Sequence, residues 1–240
     1  MNLKSAIKYL MNFTGYILHH NNASKVIFYH DVGTDHTDMG TPLDIIDAHL
    51  QLIKKEGFCI VKNITERKSQ IMICFDDGWK GLYDNKEYFI KNGIYPTVFV
   101  AVDLIGKEGY MNVEQIKELH SLGFEFEGHT WTHTGLPEHH GEDLRHELLD
   151  SKRRLQEMLG FEIHDICFPQ GRYSDEAITV CHEAGYKRLY SSSNGSYYTQ
   201  ENEGLICRNL LQYTPVNQIK YIIKGDSPFY RNRLIKTHYE

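Results

Sequence analysis

Runs of apolar and β-branched residues alternate with segments of helical periodicity along most of the chain. The runs predict strands over 26–29, 58–61, 71–75, 97–101, 124–126, 165–168, 188–191 and 205–210. Between them, helices are predicted over 41–57, 79–93, 112–123, 142–160, 174–185 and 215–225. Polar residues such as Asn112 and Ser174 stand where a helix starts, and glycines such as Gly57, Gly123, Gly160 and Gly185 where one stops. Such residues satisfy the unpaired backbone groups at helix ends. The stretch 71–75 (IMICF) is apolar at every position, as expected of a strand covered on both faces. This rhythm predicts a mainly parallel α/β sheet. Seven or eight strand–helix units suit a barrel better than an open sheet.

At the N-terminus, Leu3, Ile7, Leu10, Met11, Thr14, Ile17 and Leu18 recur at helical spacing. They predict an amphipathic helix within residues 1–24, packed on a barrel spanning 25–225, with a tail over 226–240. A helix resting on a membrane surface is the lesser alternative, because only Lys4 and Lys8 offer charge to anionic lipid. No segment has the roughly 20 apolar residues of a membrane span.

Composition narrows the picture further. Among 240 residues, 41% are hydrophobic and 24% charged, too apolar for a disordered chain. A formal net charge of −6 argues against a general nucleic-acid binder. Five cysteines occur without a C-x-x-C pair, so Cys59, Cys74, Cys167, Cys181 and Cys207 are expected to be reduced core thiols. The stretch from Tyr9 to Asn22 is too interrupted to be a secretory h-region. A cytoplasmic location is the expectation.

Four polar clusters begin where a predicted strand stops. They are His30-Asp31, Asp76-Asp77-Gly78, His129-Thr-Trp-Thr-His133 and Pro169-Gln-Gly-Arg172. In a parallel barrel the C-terminal strand ends share one rim, where barrel enzymes place their active sites. Adjacent carboxylates at a strand end point in different directions, so one of the pair can bind a metal while the other stays free. Taken alone, Asp-Gly is also a common turn. His129 and His133 are four apart, a spacing that brings both rings to one face of a helical turn. Two histidines and an aspartate leave open positions on an ion, as in hydrolytic zinc centres; non-haem iron accepts the same set.

The segments CFDDG (74–78) and HTWTH (129–133), in this order, resemble the first two motifs of the polysaccharide deacetylases with a NodB homology domain, carbohydrate esterase family 4. The likeness covers roughly residues 25–210. It implies an irregular (β/α) barrel of seven or eight units, with Asp77, His129 and His133 as metal ligands and Asp76 as general base. The reaction it implies is removal of an acetyl group from an N-acetylated sugar. The family's third motif often carries an arginine where this chain has Cys167, and its fifth motif a histidine where Leu205-Ile-Cys-Arg208 has none. Tyr29-His30-Asp31 is similar to the opening motif of the branch that acts in exopolysaccharide assembly. That makes His30 the candidate catalytic acid, with Arg208 or Arg172 in place of the missing arginine.

Trp131, Pro169 and Arg172 are the expected substrate contacts. One divalent ion is expected, zinc first, with cobalt, nickel or iron as alternatives. The expected partner is an N-acetylated carbohydrate, with no nucleic acid and no membrane span. Three other readings stay open: a non-haem iron oxygenase, an inactive glycan-binding module, and an amidohydrolase acting on a non-sugar amide.

Overall fold

A computed structural model describes residues 3–199 and 204–238. Helix α1 (Leu3–Leu18) leads into strand β1 (Lys25–Tyr29). Two short strands, β2 (Asp31–Val32) and β3 (Gly40–Thr41), pair with each other apart from the main sheet. The chain continues through α2 (Leu43–Lys55), β4 (Cys59–Val61), β5 (Gln70–Phe75), α3 (Gly81–Asp84), α4 (Lys86–Lys91) and β6 (Thr97–Val100). Next come α5 (Val113–Ser121), β7 (Glu125–Gly128), α6 (Gly141–Arg145), α7 (Ser151–Leu159), β8 (Asp165–Cys167) and α8 (Asp175–Glu183). Strands β9 (Arg188–Tyr190) and β10 (Arg208–Leu210) and helices α9 (Ile219–Ile223) and α10 (Pro228–His238) complete it.

The sheet runs β10-β1-β5-β6-β7-β8-β9, with β4 also on β5, and every pairing in it is parallel. Tyr190 of β9 bridges to Ile206 just ahead of β10, and the Ser191 N–H donates to the Ile206 carbonyl at 3.0 Å. The sheet therefore closes almost completely into the expected barrel. Side chains alternate between two apolar layers, following the period of two along a strand. Val26 and Phe28 of β1, Met72 and Cys74 of β5, Phe99 of β6 and Cys167 of β8 fill the barrel interior. Their neighbours Ile27, Tyr29, Ile71, Ile73, Phe75 and Val98 pack outward against the helices. Burial on both faces is why these strands read as continuous apolar runs.

Several expectations need correction. The helix expected over 79–93 is two short helices divided at Asn85, whose amide Nδ2 donates to the Gly81 carbonyl at 2.8 Å. The helix over 142–160 contains a π-helical segment, His146–Asp150, between α6 and α7. Cys59 is exposed, whereas Cys74, Cys167, Cys181 and Cys207 are buried, and none of the five forms a disulfide. Most of the expected C-terminal tail is helix α10, which packs beside α1.

Helix α1 is also attached differently from expectation. Tyr9, Phe13 and Tyr16 surround the Tyr221 ring of α9, with centroids 5.9, 5.3 and 5.2 Å away. Gly15 lies so close to the turn before α10 that a Cβ there would sit 2.6 Å from the Asp226 carbonyl oxygen. Much of the apolar stripe expected to pack on the domain faces outward instead.

Candidate metal and catalytic centre

The parallel register brings the strand ends to one rim. Phe75 of β5 pairs with Tyr29 of β1, so the residues that follow, Asp76 and His30, leave the sheet side by side. Val100 pairs with Gly128, and the His129 N–H then donates to the Val100 carbonyl at 2.9 Å. A cleft of about 320 Å³ opens above the rim, and His30, Asp76, Asp77, His129, His133 and Arg208 all line it. Backbone strain gathers at the same place. Of five non-glycine residues with positive φ among the described residues, Asp77, Thr130, His133 and Gln170 stand at the rim. Such conformations cost energy and persist where the surroundings impose them, commonly at functional sites.

His133 Nε2 and His129 Nε2 lie 2.9 and 3.4 Å from Asp77 Oδ1. That oxygen is buried and has no hydrogen bond of acceptable geometry. The other Asp77 oxygen accepts from the Trp79 indole N–H at 3.1 Å. His129 Nδ1 donates to the Cys167 carbonyl at 2.7 Å, which turns the lone pair of Nε2 toward Asp77. Two ring nitrogens and an orphaned carboxylate oxygen thus converge within 4.8 Å of one another. This donor set fits a divalent cation with open coordination positions. Burial alone would raise the Asp77 carboxyl, but the two imidazoles hold it well below the ordinary range. Burial likewise lowers His133, and the Asp77 carboxylate outweighs that and raises it.

The two histidines do not share a helical face. They stand on a loop after β7, where Thr130 and His133 both have positive φ. Glu147, buried in the π-helical segment, holds this loop. Its carboxylate accepts from the Trp131 and Thr132 N–H groups, both at 3.0 Å, and from the Thr132 hydroxyl at 2.8 Å. A glutamate inside a helical repeat reads as a solvated residue, so sequence reasoning passed over it.

Asp76 is buried and gripped by Arg208. The guanidinium donates from Nη1 to Oδ1 at 2.6 Å and from Nη2 to Oδ2 at 2.8 Å. It also donates to the Ser191 carbonyl at 3.0 Å and the Cys167 sulfur at 2.7 Å. Burial pushes the Asp76 carboxyl up, but Arg208 overcomes this and holds it below its ordinary value. Arg172 is elsewhere, paired with Glu138 at 2.5 Å.

His30 Nδ1 donates to the Gln212 side-chain oxygen at 2.5 Å, leaving Nε2 free on a cleft-lining ring. Its neighbour Asp31 turns away: Oδ1 accepts the Val32 N–H at 2.8 Å and lies under Gly81, where an added Cβ would sit 2.4 Å from it. Trp131, Pro169 and Arg172 do not line the cleft; Trp131 packs on His146 with ring centroids 4.2 Å apart. Near Pro169 and Arg172, the cleft wall is made instead by Phe168, Gln170 and Gly171. The sequence reading also missed Lys8 of α1 and Tyr230, Leu234 and His238 of α10. These come from the two ends of the chain, where no strand-end pattern points to a site.

The family model for polysaccharide deacetylases matches residues 63–189. YxkH of Bacillus subtilis (strain 168), which carries the polysaccharide deacetylase name, is 22% identical over 204 residues, covering 79% of this chain and 71% of its own. Among solved structures, the Streptococcus pyogenes deacetylase PplD, in complex with acetate, superposes with a TM-score of 0.71 at 22% identity, covering 85% of this chain and 99% of its own. IcaB from Ammonifex degensii reaches 0.74 at 16% identity, covering 86% and 99%. These likenesses extend over the barrel that carries the cleft, and the family model spans both aspartates and both histidines of the rim. The chain belongs to the polysaccharide deacetylase family, whose members are metal-dependent hydrolases that deacetylate acetylated glycans.

Proposed function

We propose that this chain hydrolyses the acetamide of an N-acetylated sugar at a single divalent-metal site, with zinc as the resident ion. The observation that carries this reading is the buried Asp76 carboxylate, held ionised beside the Asp77–His129–His133 donor set in one cleft. Two imidazoles and one carboxylate suit zinc, and cobalt, nickel or iron would fit the same donors. The ion would supply Lewis acidity at the acetamide carbonyl. Asp76 takes the proton of the attacking water. Arg208 occupies one lone pair on each oxygen of the cleft-lining Asp76, which leaves others for that proton. The leaving nitrogen must be protonated, because an amine anion is far too basic to depart. His30, with Nδ1 anchored on Gln212 and Nε2 free, is the proposed donor.

Metal analysis of the purified protein should give about one ion per chain, as one donor set makes one site. His129→Ala should lower that content. Full occupancy in an Asp77→Ala, His129→Ala double variant would refute the ligand assignment. An acetate-release screen across classes of N-acetylated sugar, with zinc, cobalt and nickel supplied, tests the activity itself.

His30→Ala should lower amide turnover by roughly 10²–10⁴-fold, the range for loss of a general acid, without changing metal content. An acetyl ester should suffer less, because an alkoxide leaves more readily than an amine anion. Near-normal deacetylation by His30→Ala would make His30 a loop anchor for Gln212 and nothing more.

A further inference from the structure

Among the described residues, six of the nine exposed large apolar side chains lie on α1 and α10. Leu10, Ile17 and Leu18 of α1 are 61%, 60% and 68% exposed, and Phe229 of α10 is 76% exposed. Leu10, Met11, Leu18, Pro228 and Phe229 line a groove of about 420 Å³ between the two helices. Helix α1 is already anchored on Tyr221 of α9 through Tyr9, Phe13 and Tyr16, so Leu10, Ile17 and Leu18 are not what hold it there.

Charge is segregated onto the same two helices. Their sequences contain Lys4, Lys8, Arg231, Arg233 and Lys236 and no acidic residue, in a chain whose net charge is −6. Their local charge of +5 therefore leaves −11 on the remainder. The Lys4 side chain lies outside the described residues. Arg231 is paired with Asp226 at 2.7 Å, and Lys8 faces the catalytic cleft. Arg233 and Lys236 are exposed and lie next to Phe229 along a shared surface hollow. On sequence grounds, α1 alone had too little charge for anionic lipid; the fold adds the cations of α10 beside it.

We propose that the face formed by α1 and α10 docks the protein on a lipid bilayer containing anionic lipid. Apolar side chains flanked by cations match the acyl boundary and the headgroups of such a surface. A second copy of the chain is a poorer occupant, because a two-fold contact would set two cationic faces against each other. No described helix is long and apolar enough to cross a membrane, so the contact lies in the interface plane. Lys8, Tyr230, Leu234 and His238 of the same helices line the catalytic cleft, so the docking face and the cleft share two helices. The docking face is separate from the residues of the proposed reaction, and vesicle binding decides the one without the other.

The full chain should co-sediment with phosphatidylcholine vesicles that contain phosphatidylglycerol, and much less with phosphatidylcholine alone. Added salt should weaken the binding. An Arg233→Glu, Lys236→Glu variant should bind at least about tenfold more weakly, because each surface cation contributes substantially at an anionic membrane. A Leu18→Asp, Phe229→Asp variant should lose binding to a similar degree. Both should keep the wild-type melting temperature and acetate release from a soluble substrate; if the second fails to fold, the charge-reversal variant decides. Absence of binding to the anionic vesicles, or equal binding by the charge-reversal variant, would overturn the proposal. So would a concentration-dependent dimer that Leu18→Asp, Phe229→Asp dissolves, because the face would then belong to a second copy.

Discussion

Asp76→Asn should retain the metal and lose roughly 10²–10⁴-fold in turnover, the range for removal of a general base. Asparagine keeps the shape of the side chain and one oxygen for Arg208, but its NH2 faces the second guanidinium nitrogen, so the melting temperature is measured alongside to separate loss of the base from loss of the buried pair. Asparagine cannot accept a proton from water near neutral pH. Asp77→Asn should do the reverse, first reducing metal content and only thereby activity, because the Asp77 oxygen is the one on which both imidazoles converge. Metal analysis and acetate release on the same two preparations separate the roles. Should Asp76→Asn lose the metal while Asp77→Asn keeps it, the two carboxylates would have to exchange assignments. The geometry favours the roles as given, since both imidazole nitrogens converge on Asp77 Oδ1 while Asp76 is held by Arg208.

The barrel was legible because its strands are covered on both faces. In β1 and β5 nearly every position is apolar, and the turns that follow carry the polar residues of the rim. Helix α5 was equally readable, because Asn112 and Gln115 cap it reciprocally, as their spacing suggests. Less accessible was whatever depends on register or loop conformation. His129 and His133 were read as one helical face, yet positive φ at Thr130 and His133 brings the rings together on a loop. The Cys167 carbonyl that orients His129 is a backbone atom, and no residue type announces it. Arg208 and Arg172 were interchangeable candidates in the sequence. Only the pairing of β1 with both β5 and β10 brings Arg208 to Asp76, across 132 residues. Helix α10 has no marked apolar stripe to reveal it, and the turn before it is met closely by Gly15 of α1.

Arg208→Met should give the largest loss of stability, about 3–5 kcal/mol at neutral pH, the range for stranding one partner of a buried ion pair. Arg208 is 1% exposed, and its guanidinium lies 4.2 Å from the centre of the Phe28 ring, so methionine would fill part of the space. The charge it leaves behind is the larger effect. Asp76 is 3% exposed, and with the guanidinium gone only the burial that raises its pKa remains, apart from weaker help from His129 and His30. The sign of the pH dependence follows. In the wild type the Asp76 pKa is depressed, so the pair contributes its full stability above the ordinary aspartate value and loses it as pH falls below. In Arg208→Met burial should raise the Asp76 pKa instead, so acidification should protonate Asp76 and relieve the penalty for its buried charge. The stability gap between the two proteins, measured by urea unfolding, should be wide at neutral pH and narrow toward acid. Arg208→Lys should recover only part of the loss, because one ammonium cannot form the two parallel bonds to Asp76 and also reach the Ser191 carbonyl. Acetate release should follow the same ordering at neutral pH, wild type above lysine above methionine, because Arg208 acts on the reaction by keeping Asp76 ionised and aimed. A gap that stayed constant with pH would mean that Arg208 serves the fold by filling space, and the ionisation of Asp76 would need another cause.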